Sequence, residues 1–322
     1  MPVNWRTIRQ NLLTPKTTEA SFATRGFVAR DEASRELLES VGVHFLTGFR
    51  YAVGERGPVE ATARLETVEP DLRGFAYEGA AMGFAVLDGL TGGRRLARFL
   101  AGPADRHVYM VHVGLGWAMA RLPRWRWRAV QPTDRLLGWL ALDGYGFHQA
   151  YFHTQRYVRE RHRDRIGSWP GDPAGRWTGR VIDQGVGRAL WFVAGADPDR
   201  VADTIDQFPV ERREDLYSGT ALAATYAGGA RRELLLRLAE RGAAYAPAMA
   251  QGSAFAAQAR RRAGLTSEHT GVATEVFCGT PAAQAAEVTE HALDGLDHDG
   301  PVPAFLVWRQ RIAQQFVTLG RC

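Results

Sequence analysis

The chain has 322 residues, 45% of them hydrophobic, enough for a substantial core in about one to three units, which excludes a disordered chain. Its formal net charge of +5 comes from 40 Lys and Arg against 35 Asp and Glu, with Lys16 the only lysine; this arginine skew beside abundant Ala and Gly reads as genome composition, so no nucleic-acid partner is expected. Two cysteines, Cys278 and Cys322, exclude a disulfide framework or thiolate cluster; the N-terminal "MPVNWRTIRQ" lacks a signal-peptide core, and no run approaches the roughly 18 apolar residues of a membrane span, so a soluble cytoplasmic protein is expected.

Residues 1–30 are polar and show no sustained period, which predicts an irregular N-terminal arm. From Asp31 the pattern becomes helical: Asp31 suits an N-cap, Leu37, Leu38, Val41, Phe45 and Phe49 fall on one face, and Gly54 ends the run. "PVEATARLETVEP" and "PDRVADTIDQFP" each run between prolines, which open helices and cannot continue inside them. Short Gly, Pro and Asp breaks follow one another with no strand punctuation, so the expected class is all-α.

The segments also resemble one another. "FAYEGAAMGFAVLDG" and "DLYSGTALAATYAGG" share an aromatic, a polar residue, a glycine and a closing glycine at an offset of 140 residues (219 − 79). "HVGLGWAMARL" with "AQGSAFAAQAR", and "FRYAVG" with "LWFVAG", repeat the match at nearly the same offset, which predicts an internal duplication, 31–180 and 181–322, packed as one continuous unit. Gly79, Gly114, Gly144, Gly185, Gly219 and Gly252 recur at steps of about 30 to 41 residues, the length of a helical hairpin. The expected architecture is tandem helical hairpins in a tetratricopeptide-like α-solenoid or an α/α toroid, with inner helices that begin at these glycines and approach closely there.

The residues just before most of these starts are polar: Glu78, Asp143, Gln184, Ser218 and Gln251, with Thr270 further on. Two explanations stand side by side, helix capping and the rim of a ligand pocket. "LDGYGFHQAYFH" adds His148 and Tyr145 to such a start, making Asp143 and His148 the candidate acid/base residues. Glu78, His112, Trp117, Tyr145, Gln184, Ser218 and Gln251 are the candidate substrate-binding residues, and Phe147, Tyr151, Trp191, Phe192 and Tyr226 would add aromatic contacts.

Metal and cofactor chemistry are not expected. His148 and His153 are five apart, about 140° around a helix, which is not zinc spacing. "LDGLDHDG" fails the calcium-loop pattern, and no Walker loop, dinucleotide fingerprint, serine elbow or DDxxD cluster occurs. Cys278 reads as a small core residue and "RYVRERHRDR" (156–165) as a solvated helix end, while "LPRWRWR" (122–128) could stack bases, bind an anionic carrier or form a stacked surface loop.

The succession "GFAYEGAAMGFAVLDG", "HVGLGWAMARLP", "LALDGYGFHQAYFH", "GVGRALWFVAGADPDRVADTIDQFPVERREDLYSGTALAATYAGG" and "MAQGSAFAAQARRRAG" resembles a bacterial family of unknown function found in actinobacterial enediyne polyketide clusters. The resemblance spans about residues 30–290 and carries no short catalytic signature. It implies an accessory role in binding or modifying an unsaturated, polyene or polyketide-derived chain. The alternative is a non-enzymatic helical module that docks a polyketide synthase or tailoring enzyme, and behind it a terpenoid-cyclase-like isomerase.

Overall fold

Asp31 caps the first long helix as expected: its side chain accepts from the Ser34 amide, and the helix runs Glu32–Gly54 (α1). In this computed structural model, residues 9–10 and 12–320 are described; Cys322 and residues 1–8 of the expected arm lie outside them. α2 (Pro58–Leu65) and α3 (Pro70–Thr91) both open on proline, followed by α4 (Arg95–Leu100), α5 (Val108–Arg121) and α6 (Leu140–Phe152). Beyond a long irregular connection come α7 (Thr178–Val193), α8 (Pro198–Ile205), α9 (Val210–Ala227), α10 (Arg232–Arg241) and α11 (Ala246–Ala263). α12 (Glu268–Cys278), α13 (Ala282–His291) and α14 (Ala304–Thr318) complete the chain, and among the described residues there is no strand, only one isolated bridge between Trp169 and Asp172.

Two kinds of helix divide the work. α3, α5, α6, α7, α9 and α11 carry long stretches that are buried on every side, α3 from Gly74 to Gly89 without interruption. The short α2, α8 and α10 each bury one apolar stripe and turn charged residues to solvent. The buried helices pack in chain order, α1 on α3, then α5, α6, α7, α9 and α11. The series then curls back: Arg260 of α11 donates to the Asp71 carbonyl of α3 at 3.1 Å, and Tyr226 of α9 meets Phe75 of α3 edge-on at 5.1 Å. Element order recurs as well, since α2 and α8 are both eight residues long and start 140 apart (198 − 58).

The recurrent glycines do not begin helices. Each sits well inside one, so the expected helix starts are corrected, and with them the capping explanation for the preceding polar residues. A Cβ at Gly114 would lie 2.1 Å from the carbonyl oxygen of Glu78, one at Gly185 1.9 Å from that of Asp143, and one at Gly219 1.9 Å from that of Gln184. Each glycine therefore rests on the carbonyl of the residue that precedes the glycine of the helix before it. This close crossing is what the spacing records.

Residues 17–25, expected to be irregular, form two short helical turns, Thr17–Ala20 and Phe22–Arg25, too short to show a period. Buried Phe22 and Phe27 anchor them, Phe27 edge-on to Tyr151 at 5.1 Å. Cys278 is fully buried, as a core residue should be. Residues 156–165 are not simply a solvated helix end: a single π-type turn, Gln155–Arg159, leads into a loop whose Asp164 accepts from the hydroxyls of Tyr145 at 2.5 Å and Tyr157 at 2.6 Å. The Arg/Trp stretch forms a 3-10 turn, Arg124–Ala129, in which Trp127 donates to the Met119 carbonyl while Trp125 stays exposed under Arg126.

Candidate functional site

Small residues at the crossings leave room for large ones elsewhere, and the long helices line a narrow cavity of about 60 Å³ that is partly open to solvent. Leu38, Phe45 and Leu46 come from α1, Phe75 and Met82 from α3, Trp117 from α5, Phe147 and Tyr151 from α6, Phe192 from α7 and Tyr226 from α9. Phe45, Phe147 and Tyr151 surround Trp117, with ring centroids 4.4, 5.1 and 6.3 Å from its own. Most of the lining is buried; Pro15 and Glu19 of the N-terminal segment, with Arg121 and Phe152, form the solvent side.

At the buried end the lining becomes ionisable. Glu78 on α3 and Arg188 on α7 face the cavity, and Arg188 donates through Nη1 to Asp143, which is wholly buried behind it. Arg188 also lies over the Phe147 ring, 5.2 Å from its centroid. A second, smaller void of about 30 Å³ lies against Asp143, Arg188 and Tyr226, so the ion pair is part of a partition between two spaces.

Burial raises the pKa of Glu78 to about 7; Arg188 pulls against this, Asp143 adds to it, and the nearby Trp117 indole pulls it slightly down. Burial likewise raises Asp143, against the pull of Arg188. Arg188 thus pairs directly with Asp143 and acts on Glu78 through space, while burial holds the Glu78 carboxyl near neutrality. The effect on stability has a definite sign. A carboxyl whose pKa is higher in the folded chain favours folding most below its unfolded pKa of 4.5 and loses that advantage as pH rises through about 7. Glu78→Gln is therefore expected to match the parent below pH 4.5 and gain on it across pH 4.5–7, by on the order of 3 kcal/mol at pH 8. Urea unfolding of both proteins at several pH values checks this; a constant difference would refute the raised pKa.

His148 is buried beside the cavity wall, edge-on to Trp117 at 5.5 Å, its Nδ1 3.2 Å from Gln149 Oε1. Burial, then the charges of Arg121 and His153, depress its pKa to about 3, though the Gln149 contact opposes them. Its ring is neutral at physiological pH. Among the described residues no hydrogen bond joins His148 to Asp143, whose cation partner is Arg188, so the structure does not assemble the expected acid/base pair.

The remaining candidates fall into separate places. Trp117, Phe147, Tyr151, Phe192 and Tyr226 line the cavity, whereas Trp191 donates away from it to the Gly228 carbonyl at 2.8 Å. His112 is engaged with the Val108 carbonyl, and Tyr145 with Asp164. Ser218 donates to Gln251 at 2.8 Å; both meet Arg309, which also pairs with Asp215 at 2.9 Å, forming a second buried polar cluster. Gln184 is buried with its side-chain amide unpaired, and Thr270 is buried in the first turn of α12. Of the residues preceding glycines, only Glu78 faces the larger cavity.

Arg188 was missed. Its signal was position, three residues past Gly185 on a helix otherwise made of apolar and small residues, in "GVGRALWFV". Among the described residues no cluster of three or more His, Cys, Asp or Glu could hold a metal ion, and no helix is long and apolar enough to cross a membrane.

A chain of buried helices crossing at glycines around a narrow aromatic cavity defines an all-helical protein with an apolar internal pocket. It belongs to the family described as protein of unknown function, DUF1702, whose profile matches residues 4–316. No curated protein and no solved structure matches the chain.

Proposed function

We propose that the protein binds an unsaturated, apolar chain of polyketide type in this cavity and exchanges protons with it through Glu78. The observation that carries the reading is the pairing of a largely buried aromatic lining with one buried carboxyl poised near neutrality. As carboxylate, Glu78 would take a proton from an allylic carbon; as acid, it would return one at the far end of the shifted double bond. The step conserves atoms and electrons and needs no co-reactant. Curled tandem hairpins, an α-solenoid or toroid arising by duplication, would supply the wall, and an accessory role in enediyne-type biosynthesis in the cytoplasm is what the family resemblance adds. Docking of a synthase or tailoring enzyme, the alternative, would call for an open groove, and most of this lining is buried.

The test uses an uncharged conjugated tetraenoic methyl ester, whose emission rises in an apolar site. Wild type is expected to bind it, and Ala223→Phe, which fills the cavity from α9, to lose at least about tenfold in affinity while keeping its helical circular dichroism. Undiminished binding by a folded Ala223→Phe protein would refute the site.

A further inference from the structure

The charges lining the cavity are unequally satisfied. At the buried end Arg188 is already paired with Asp143 and a second carboxyl, Glu78, lies within its electrostatic reach, so a further anion has no place there. On the solvent side Glu19 is neutralised by Arg25 at 2.5 Å. Arg121, the last residue of α5, is different: it lines the cavity and is exposed, and among the described residues no hydrogen bond or ion pair holds its guanidinium. His148 adds no second cation nearby, being held neutral. The next basic side chains, Arg124 and Arg126, are turned onto Trp127 and Trp125.

Resting on the cavity reading above, we propose that the ligand is amphipathic, an apolar chain ending in a carboxylate or phosphate, with its anionic end held by Arg121 at the mouth and its chain running inward to Glu78. A planar guanidinium with five N–H donors suits either anion. Between the two ends the lining is aliphatic and aromatic, which matches a chain with one polar terminus. The orientation follows from the charges: the anion avoids the two buried carboxyls, and the unsaturated carbons are delivered to Glu78. Arg121, directly before the Arg/Trp stretch 122–128, thereby gains a role that the turn after it does not share.

The experiment compares a conjugated tetraenoic acid, its methyl ester and its 4′-phosphopantetheine thioester against wild type, Arg121→Ala and Arg121→Glu. Arg121→Ala is expected to weaken the acid or the thioester by about threefold to tenfold and Arg121→Glu by more, with the ester unchanged in both. A larger loss for the acid assigns a carboxylate head, and a larger loss for the thioester a phosphate. Equal losses for ester and anions, or no loss at all, would overturn the proposal while leaving the cavity reading intact. Failure of wild type to bind any of the three overturns both.

Discussion

Arg188→Met is expected to destabilise the fold by about 3–5 kcal/mol at pH 7.5, because it leaves a carboxylate buried without its cation. Asp143 is fully buried; one oxygen is held by Arg188 and the other has no partner. Methionine fills most of the space of the arginine stem, so the loss is electrostatic rather than a cavity. Two outcomes separate this from simple misfitting. The deficit should shrink as pH falls, because protonated Asp143 and Glu78 need no cation, and Asp143→Asn with Arg188→Met should recover part of it. Urea unfolding of the four proteins of the cycle at pH 7.5 and 5.5 measures both. A single-variant loss below about 1 kcal/mol would show that the pair is not the compensated buried pair described here. Arg188 also restrains Glu78, so its removal should push that carboxyl above 7 and leave it protonated where the proposed proton exchange needs both forms.

The ends of elements were legible in the sequence because they rest on local chemistry. Asp31 announces an N-cap and Pro58 and Pro198 announce first turns, since a cap or a fixed φ depends on neighbours two or three residues away. The interiors were harder. α6 is buried from Leu140 to His148, so no polar stripe marks its boundaries, and a polar residue before a glycine in mid-helix looks like a helix start. The aromatic lining was partly legible, since Trp117, Phe147, Tyr151, Phe192 and Tyr226 were recognisable as apolar anchors on successive helices. The charged end was not. Asp143 and Arg188 are 45 residues apart, and in a chain whose basic residues are almost all arginine, one buried guanidinium has no sequence mark except its apolar surroundings. His148 stood out in the sequence, although burial keeps it neutral, whereas nothing local set Glu78, whose pKa burial raises to about 7, apart from the other polar residues before glycines.

Gly185→Ala is expected to cost about 3 kcal/mol or more, whereas Gly271→Ala should stabilise by about 0.5–1 kcal/mol, although both exchange a helical glycine for the best helix former. An added Cβ at Gly271 meets nothing within 4 Å, so only the propensity gain remains. At Gly185 it would stand 1.9 Å from the Asp143 carbonyl oxygen and 2.8 Å from the Phe147 amide nitrogen, which are backbone atoms that no rotamer change can clear. α7 would have to withdraw from α6, and the same movement would pull Arg188 from Asp143 and part Phe192 from Phe147, whose rings are 5.3 Å apart. Stability and the buried end of the cavity should therefore fail together. Thermal unfolding and tetraenoic-ester binding of the two variants read this out, and similar midpoints would refute it. The paired glycines of "LDGYGFH" follow the same rule in both directions, because Gly144 rests on the Val113 carbonyl of the preceding buried helix and Gly146 on the Ile182 carbonyl of the next. A helix packed closely on two neighbours needs a glycine for each, and alternation within one turn supplies them on different faces. Gly114 and Gly116, and Gly185 and Gly187, do the same for their helices, so the motif encodes the distance between helices, and the width of the cavity follows from it.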